Sequence, residues 1–197
     1  MRQAALPLLF LCTFLAAWEA FCRLFDIPPF LLPAPSRVAH VLATEAPLLL
    51  RHGLTTILEI LLGILLSLAV GIPLSIAMFF SPALEKALSP LLIASQAIPV
   101  FAAAPLLVVW FGYGMGSKIA MAAVIIFFPV TVTLLQGFKS CDPGLKILFS
   151  VMGAGCLTTL RHLYWPWALP YFFAGLRVAV SVAAIGAVIG EWVGSLD

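Results

Sequence analysis

The sequence predicts an all-α integral membrane protein, a polytopic bundle of about five transmembrane helices. Three observations lead there. Hydrophobic residues make up 63% of the 197 residues and charged residues only 9%, where a soluble domain carries about 25% charged residues to wet its surface. Mean hydropathy is +1.18, so the solvent over most of the surface is expected to be lipid. The apolar residues also fall in long runs, each near the roughly 20 residues that cross a hydrocarbon core of about 30 Å. A net charge of +2 lacks the dense basic face that a nucleic-acid partner needs.

Membrane spans are predicted at about 5–25, 54–80, 88–111, 118–137 and 168–193. Backbone groups in lipid must be satisfied within their own segment, which makes these runs helices. In the first, Arg2 and the run from Leu8 to Trp18 have the outline of a secretion signal. Trp18, Glu19 and Phe21 occupy the place of a cleavage site, so the run reads as an uncleaved first helix. DIPPFLLPAPSR at 26–37 holds too many prolines for regular helix. Val38 to Leu50, with His40, Thr44 and Glu45 among apolar residues, reads as a short amphipathic helix at the interface.

Ser81-Pro82 through Lys86 reads as a polar turn, and Gly112 to Ser117 as a second turn closing a helical hairpin. Pro73, Pro99, Pro105 and Pro129 fall inside apparent spans, where they kink helices. Residues 138–166 hold the longest polar stretch, and Lys146 to Tyr164 reads as a helix bracketed by Pro143 and Pro166. Gly153-Ala154-Gly155 sits at its middle, where small residues let another surface approach.

The polar side chains form no catalytic or metal-binding constellation. Cys12, Cys22, Cys141 and Cys156 lack metal or redox spacing. His40, His52 and His162 lack ligand spacing, and no catalytic triad or paired carboxylates occur. No GKS or GKT phosphate loop is present. Gln96, Pro99, Thr131 and Glu191 are the candidate lining of a pathway, with Glu59 read as an interfacial residue near a helix end. Trp110, Trp165, Trp167 and Trp192 lie near span ends, as indoles at a membrane interface do. With an inside N-terminus, Arg2, Lys86, Lys139, Lys146 and Arg161 fall inside and Arg23, Arg37, Arg51 and Lys118 outside. That charge balance does not orient the chain.

The stretch ILFSVMGAGCLTTLRHLYWPWALP at 147–170 resembles the coupling segment of ATP-binding-cassette importer permeases. Their signature runs Glu-Ala-Ala, three residues, Gly, nine residues, Ile-x-Leu-Pro. Gly153, Leu163 and Pro166 stand at its glycine, isoleucine and proline places. Trp165 replaces the leucine, and Ile147-Leu148-Phe149 replace Glu-Ala-Ala. IPVFAAAPLLVVWFGYGMGSK at 98–118 resembles the subfamily importing sulfonates, nitrate and thiamin-pyrimidine precursors. Phe127-Phe128-Pro129-Val130 and GAVIGEWVG at 186–194 resemble its thiamin-precursor branch.

The resemblance implies one permease domain over 1–197, short of the family's sixth span, in a bacterial inner membrane. Its N-terminus and the coupling segment 138–166 would be cytoplasmic. Ile147, Leu148, Phe149, Gly153, Ala154, Gly155, Leu163 and Pro166 would couple it to ATPase subunits, which hold the ATP and magnesium. The chain itself would carry no cofactor. A second permease copy, an external solute-binding protein and membrane lipid would complete its surroundings. The implied solute is an aminopyrimidine thiamin precursor, with an alkanesulfonate, taurine or nitrate next. A stand-alone channel or carrier fits less well, since no internal repeat is evident. A non-transporting remnant is the remaining reading.

Overall fold

A computed structural model describes residues 2–97 and 100–194, and among these every regular element is helical. Residues 1–54 and 55–197 form two units.

In the first unit α1 spans Arg2–Leu24 and α2 spans Pro35–Thr44. Asp26 (φ 46°) ends the first helix in the left-handed region, which aspartate tolerates better than most residues. α2 starts with Pro35 and has no capping side chain of its own. Glu19 on α1 supplies that function. Its carboxylate accepts the Ser36 N–H at 2.9 Å and the Ser36 hydroxyl at 2.7 Å, and pairs with Arg23 at 2.6 Å. An anion at a helix N-terminus satisfies an orphan N–H and suits the helix dipole.

α3 runs Ala46–Phe80, α4 Pro82–Ala97, α5 Val100–Phe111 and α6 Met115–Lys139. α7 is Pro143–Val151 and α8 is Cys156–Thr159; a π turn, Leu160–Tyr164, leads into α9, Trp165–Gly194. Among the described residues four stretches are long and apolar enough to span a membrane: Leu6–Leu24, Ala46–Phe80, Met115–Lys139 and Cys156–Trp192. Pro82–Ala97 and Ala102–Phe111 make a fifth only as a pair, and their axes differ by 107°.

Several expected boundaries move. The interfacial helix expected at 38–50 ends at Thr44, and 46–53 belong to α3. Pro47 falls in the first turn of α3, where a missing N–H costs nothing. At roughly 52 Å for 35 residues, α3 overshoots the hydrocarbon core. The turn expected at 81–86 shrinks to Ser81, whose hydroxyl accepts the Leu84 N–H at 3.3 Å and so starts α4 at Pro82. Pro73, Pro105 and Pro129 leave their helices unbroken.

Small residues hold α3, α6 and α9 together. α3 buries Glu59, Gly63, Ser67, Gly71 and Ser75, one helical turn apart. A Cβ at Gly63 would stand 2.6 Å from the Ala122 Cβ and 3.2 Å from the Ala123 backbone nitrogen. A Cβ at Gly175 would stand 2.9 Å from the Pro129 carbonyl oxygen. Such glycines let helix backbones approach closely in lipid. Ala122, Ile126, Val130, Leu134 and Phe138 of α6 face Ala168, Phe172, Ala179 and Ala183 of α9 in the main core.

Candidate functional site

The segment 140–164 joins α6 to α9, and each of its turns has a local cause. Asp142 caps α7 by accepting the Gly144 N–H at 2.6 Å, with Pro143 in the first turn. α7 ends in a Schellman turn. The Gly153 N–H donates to the Ser150 carbonyl and the Ala154 N–H to the Phe149 carbonyl, both at 3.0 Å. Gly153 sits at φ 70°, and a Cβ there would meet nothing within 4 Å. Its glycine is required by backbone conformation and not by crowding. The single helix expected over Lys146 to Tyr164 is therefore two, broken at 152–155 by this left-handed residue.

Pro166 does not close the segment as expected. The chain passes through the π turn, where the Trp165 N–H donates to the Leu160 carbonyl five residues back. The helix then continues through Pro166 and Pro170. A π turn widens the backbone just ahead of a residue that has no N–H to give.

Of the coupling candidates, Ile147 (65% exposed) and Leu148 lie at the surface, with Phe149 and Ala154 half-buried. Gly153, Gly155 and Pro166 are exposed and Leu163 is buried. Val151, Met152 and Leu157 extend the exposed apolar surface. Sequence reasoning missed these three. Their hydrophobicity was visible, but not that the break at Gly153 turns them outward.

Beneath this surface Phe79 of α3 packs edge-on to Tyr164, with ring centroids 4.7 Å apart, and 5.4 Å from Phe138 of α6. Lys146 lies 5.7 Å over the Tyr164 ring, a cation–π distance. Lys139 pairs with Glu85 at 2.6 Å, and the Trp167 indole donates to the Ser140 hydroxyl at 3.2 Å. Burial pushes the Cys141 thiol up, partly offset by Lys146. Phe80, Lys146, Ser150, Cys156, Thr159 and Tyr164 line a cleft of about 250 Å³.

The pathway candidates lie apart. Gln96 is exposed on α4, and Pro99 falls outside the described residues. Thr131 is fully buried; its hydroxyl donates to the Phe127 carbonyl, and its own carbonyl accepts from Ser75. Glu191, half-buried, accepts from the Thr56 hydroxyl. Glu59, expected at the interface, is fully buried with Lys118 at 3.4 Å. Its place on the α3 small-residue stripe was the signal. An open cavity of about 420 Å³ lies between α3, α4 and α6, bordered by Ser67, Leu88, Leu92, Ser95 and Phe127. Among the described residues, the buried Ser67 hydroxyl has no hydrogen-bond partner.

Comparison with known proteins places this architecture. Residues 55–196 match the family described as binding-protein-dependent transport system inner membrane component. A probable ABC transporter permease protein of Haemophilus influenzae is 46% identical over 97% of the chain and 78% of its own length. The formylaminopyrimidine transport permease protein ThiX of Halalkalibacterium halodurans is 41% identical over 98% of the chain and 77% of its own. The riboflavin transport system permease protein RibX of Chloroflexus aurantiacus is 41% identical over 91% and 68%. An all-α, multi-pass chain matched by that family model over most of its length belongs to the permease subunits of ABC importers, which carry solute through the membrane while a separate subunit hydrolyses ATP.

Proposed function

We propose that this permease imports a small planar nitrogen heterocycle, with an aminopyrimidine precursor of thiamin as the solute. The observation that carries the reading is the likeness to the formylaminopyrimidine permease over 98% of the chain. The riboflavin permease, 41% identical, transports another nitrogen heterocycle. The cavity between α3, α4 and α6 supports the same class. It offers an aromatic ring, Phe127, and a hydroxyl in need of a partner, Ser67, and no cation is among the described residues that line it. A sulfonate or nitrate would call for a charged or multiply donating site.

Two copies of the chain enclose the pathway, to which Gln96, Pro99 and Glu191 contribute. The N-terminus and 138–166 face the cytoplasm. ATPase subunits, holding ATP and magnesium, grip Ile147, Leu148, Phe149 and the turn Gly153-Ala154-Gly155, with Leu163 and Pro166 setting the angle of exit. The exposed apolar surface of Ile147, Leu148, Val151 and Met152 gives that partner something to bury. A solute-binding protein delivers from the opposite side.

The test is uptake into vesicles carrying the complete transporter, using labelled formylaminopyrimidine with riboflavin and taurine as competitors. Saturable, ATP-dependent uptake of the pyrimidine that excess taurine leaves unchanged is expected. Uptake of taurine alone would replace this reading with the sulfonate one.

A further inference from the structure

Polar side chains from three helices meet at the end of the bundle remote from 140–164. Glu59 on α3 is 0% exposed, and its Oε1 lies 3.4 Å from Lys118 Nζ, in the first turn of α6. Glu191, near the end of α9, accepts from Thr56, almost one turn before Glu59 on α3. α9 also touches Lys118 directly. A Cβ at Gly190 would stand 3.4 Å from both the Cα and the Cγ of Lys118. Lys118 thus pairs with Glu59 of α3 while its own backbone and Cγ lie against α9 at Gly190, the residue before Glu191.

An enclosed carboxylate in an apolar bundle is strongly unfavourable once its partner is removed. Any motion that parted α3 from α6 at this end would strand Glu59. Between this end and the segment 140–164, the same helices stay in contact through Gly63 and Gly71 on α3, and through Gly175 and Gly186 on α9. α6 and α9 are also the two helices from which 140–164 is hung.

We propose that Lys118 is a positioning residue that clamps the remote ends of α3, α6 and α9 together, so that a displacement delivered at 143–159 arrives there in full. The proposal rests on ATPase docking at that segment, and its test reads the two separately. Spin labels are placed at Met115→Cys, an exposed position of α6, with the native cysteines replaced by alanine. The distance between labels on the two permease copies is measured in the ATPase complex, with and without ATP, beside hydrolysis rate and melting temperature.

Wild type is expected to show an ATP-dependent distance change. Lys118→Met alone melts lower, because it strands Glu59. The pair Glu59→Gln with Lys118→Met melts like wild type and hydrolyses ATP within twofold, but its distance change falls below half. Lys118→Arg keeps the full change. A full change in the double variant would reduce the pair to charge compensation and overturn the clamp. Absence of any change in wild type would instead remove the docking reading, and the clamp with it.

Discussion

Gly153 stands out in the sequence by its spacing, but for a cause that the spacing does not reveal. Its spacing from Leu163 and Pro166 resembles the coupling signature of the family in sequence alone. The cause, φ 70° in a Schellman turn with open space around it, is a backbone property that no side-chain pattern announces. Any side chain here adds roughly 1–2 kcal/mol of left-handed strain. Gly153→Arg should insert normally and keep ATPase binding within about tenfold, yet lose most solute uptake per ATP hydrolysed. Uptake at the wild-type ratio would show that the turn's shape does not matter. Glu59 is the opposite case. An acid beside Thr55 and Thr56 near a span boundary resembles an interfacial residue. Only the packing of α3 against α6 shows it enclosed and paired.

At the scale of elements, hydrophobic length located the spans but not their ends. Lipid-length arguments place boundaries where hydropathy falls. The helix boundaries lie where chemistry sets them, starting at the Ser81 and Asp142 caps and stopping at the left-handed Asp26 and Gly153. The contacts between helices were less legible still, because glycines spaced along an apolar run do not name their partners. α6 and α9 supply a direct test. Gly175→Val would drive a branched side chain toward the Pro129 carbonyl, backbone that cannot rotate away. Overpacking of this kind costs about 1–3 kcal/mol, so the purified permease should melt several degrees lower. Gly114→Ala, with nothing within 4 Å of its Cβ position, should melt within a degree of wild type. Equal melting of the two would contradict the close approach of α6 and α9.

For the whole molecule, family and multi-pass architecture were legible because composition and one spaced motif both survive without knowledge of contacts. The surface that a partner would bury was not, since it is created by the break in the segment. Two cysteines report on it. Cys156 is exposed beside the Schellman turn, whereas Cys141 is buried with its thiol pushed up by burial. Because only the thiolate reacts, Cys141 should label with maleimide more slowly than Cys156 at pH 7 and gain rate as pH rises above the ordinary thiol range. Docking of the ATPase should slow Cys156 at least fivefold and leave Cys141 unchanged. Equal labelling of Cys156 with and without ATPase would move the docking surface elsewhere.

The Schellman turn has one more consequence. It fixes the direction of the chain through two backbone hydrogen bonds and a glycine, none of which involves a side chain that a partner would read. The joint therefore keeps its form whatever residues stand at 147–149. A chain built this way can carry Ile-Leu-Phe where the family signature has Glu-Ala-Ala and still leave α7 in the same direction.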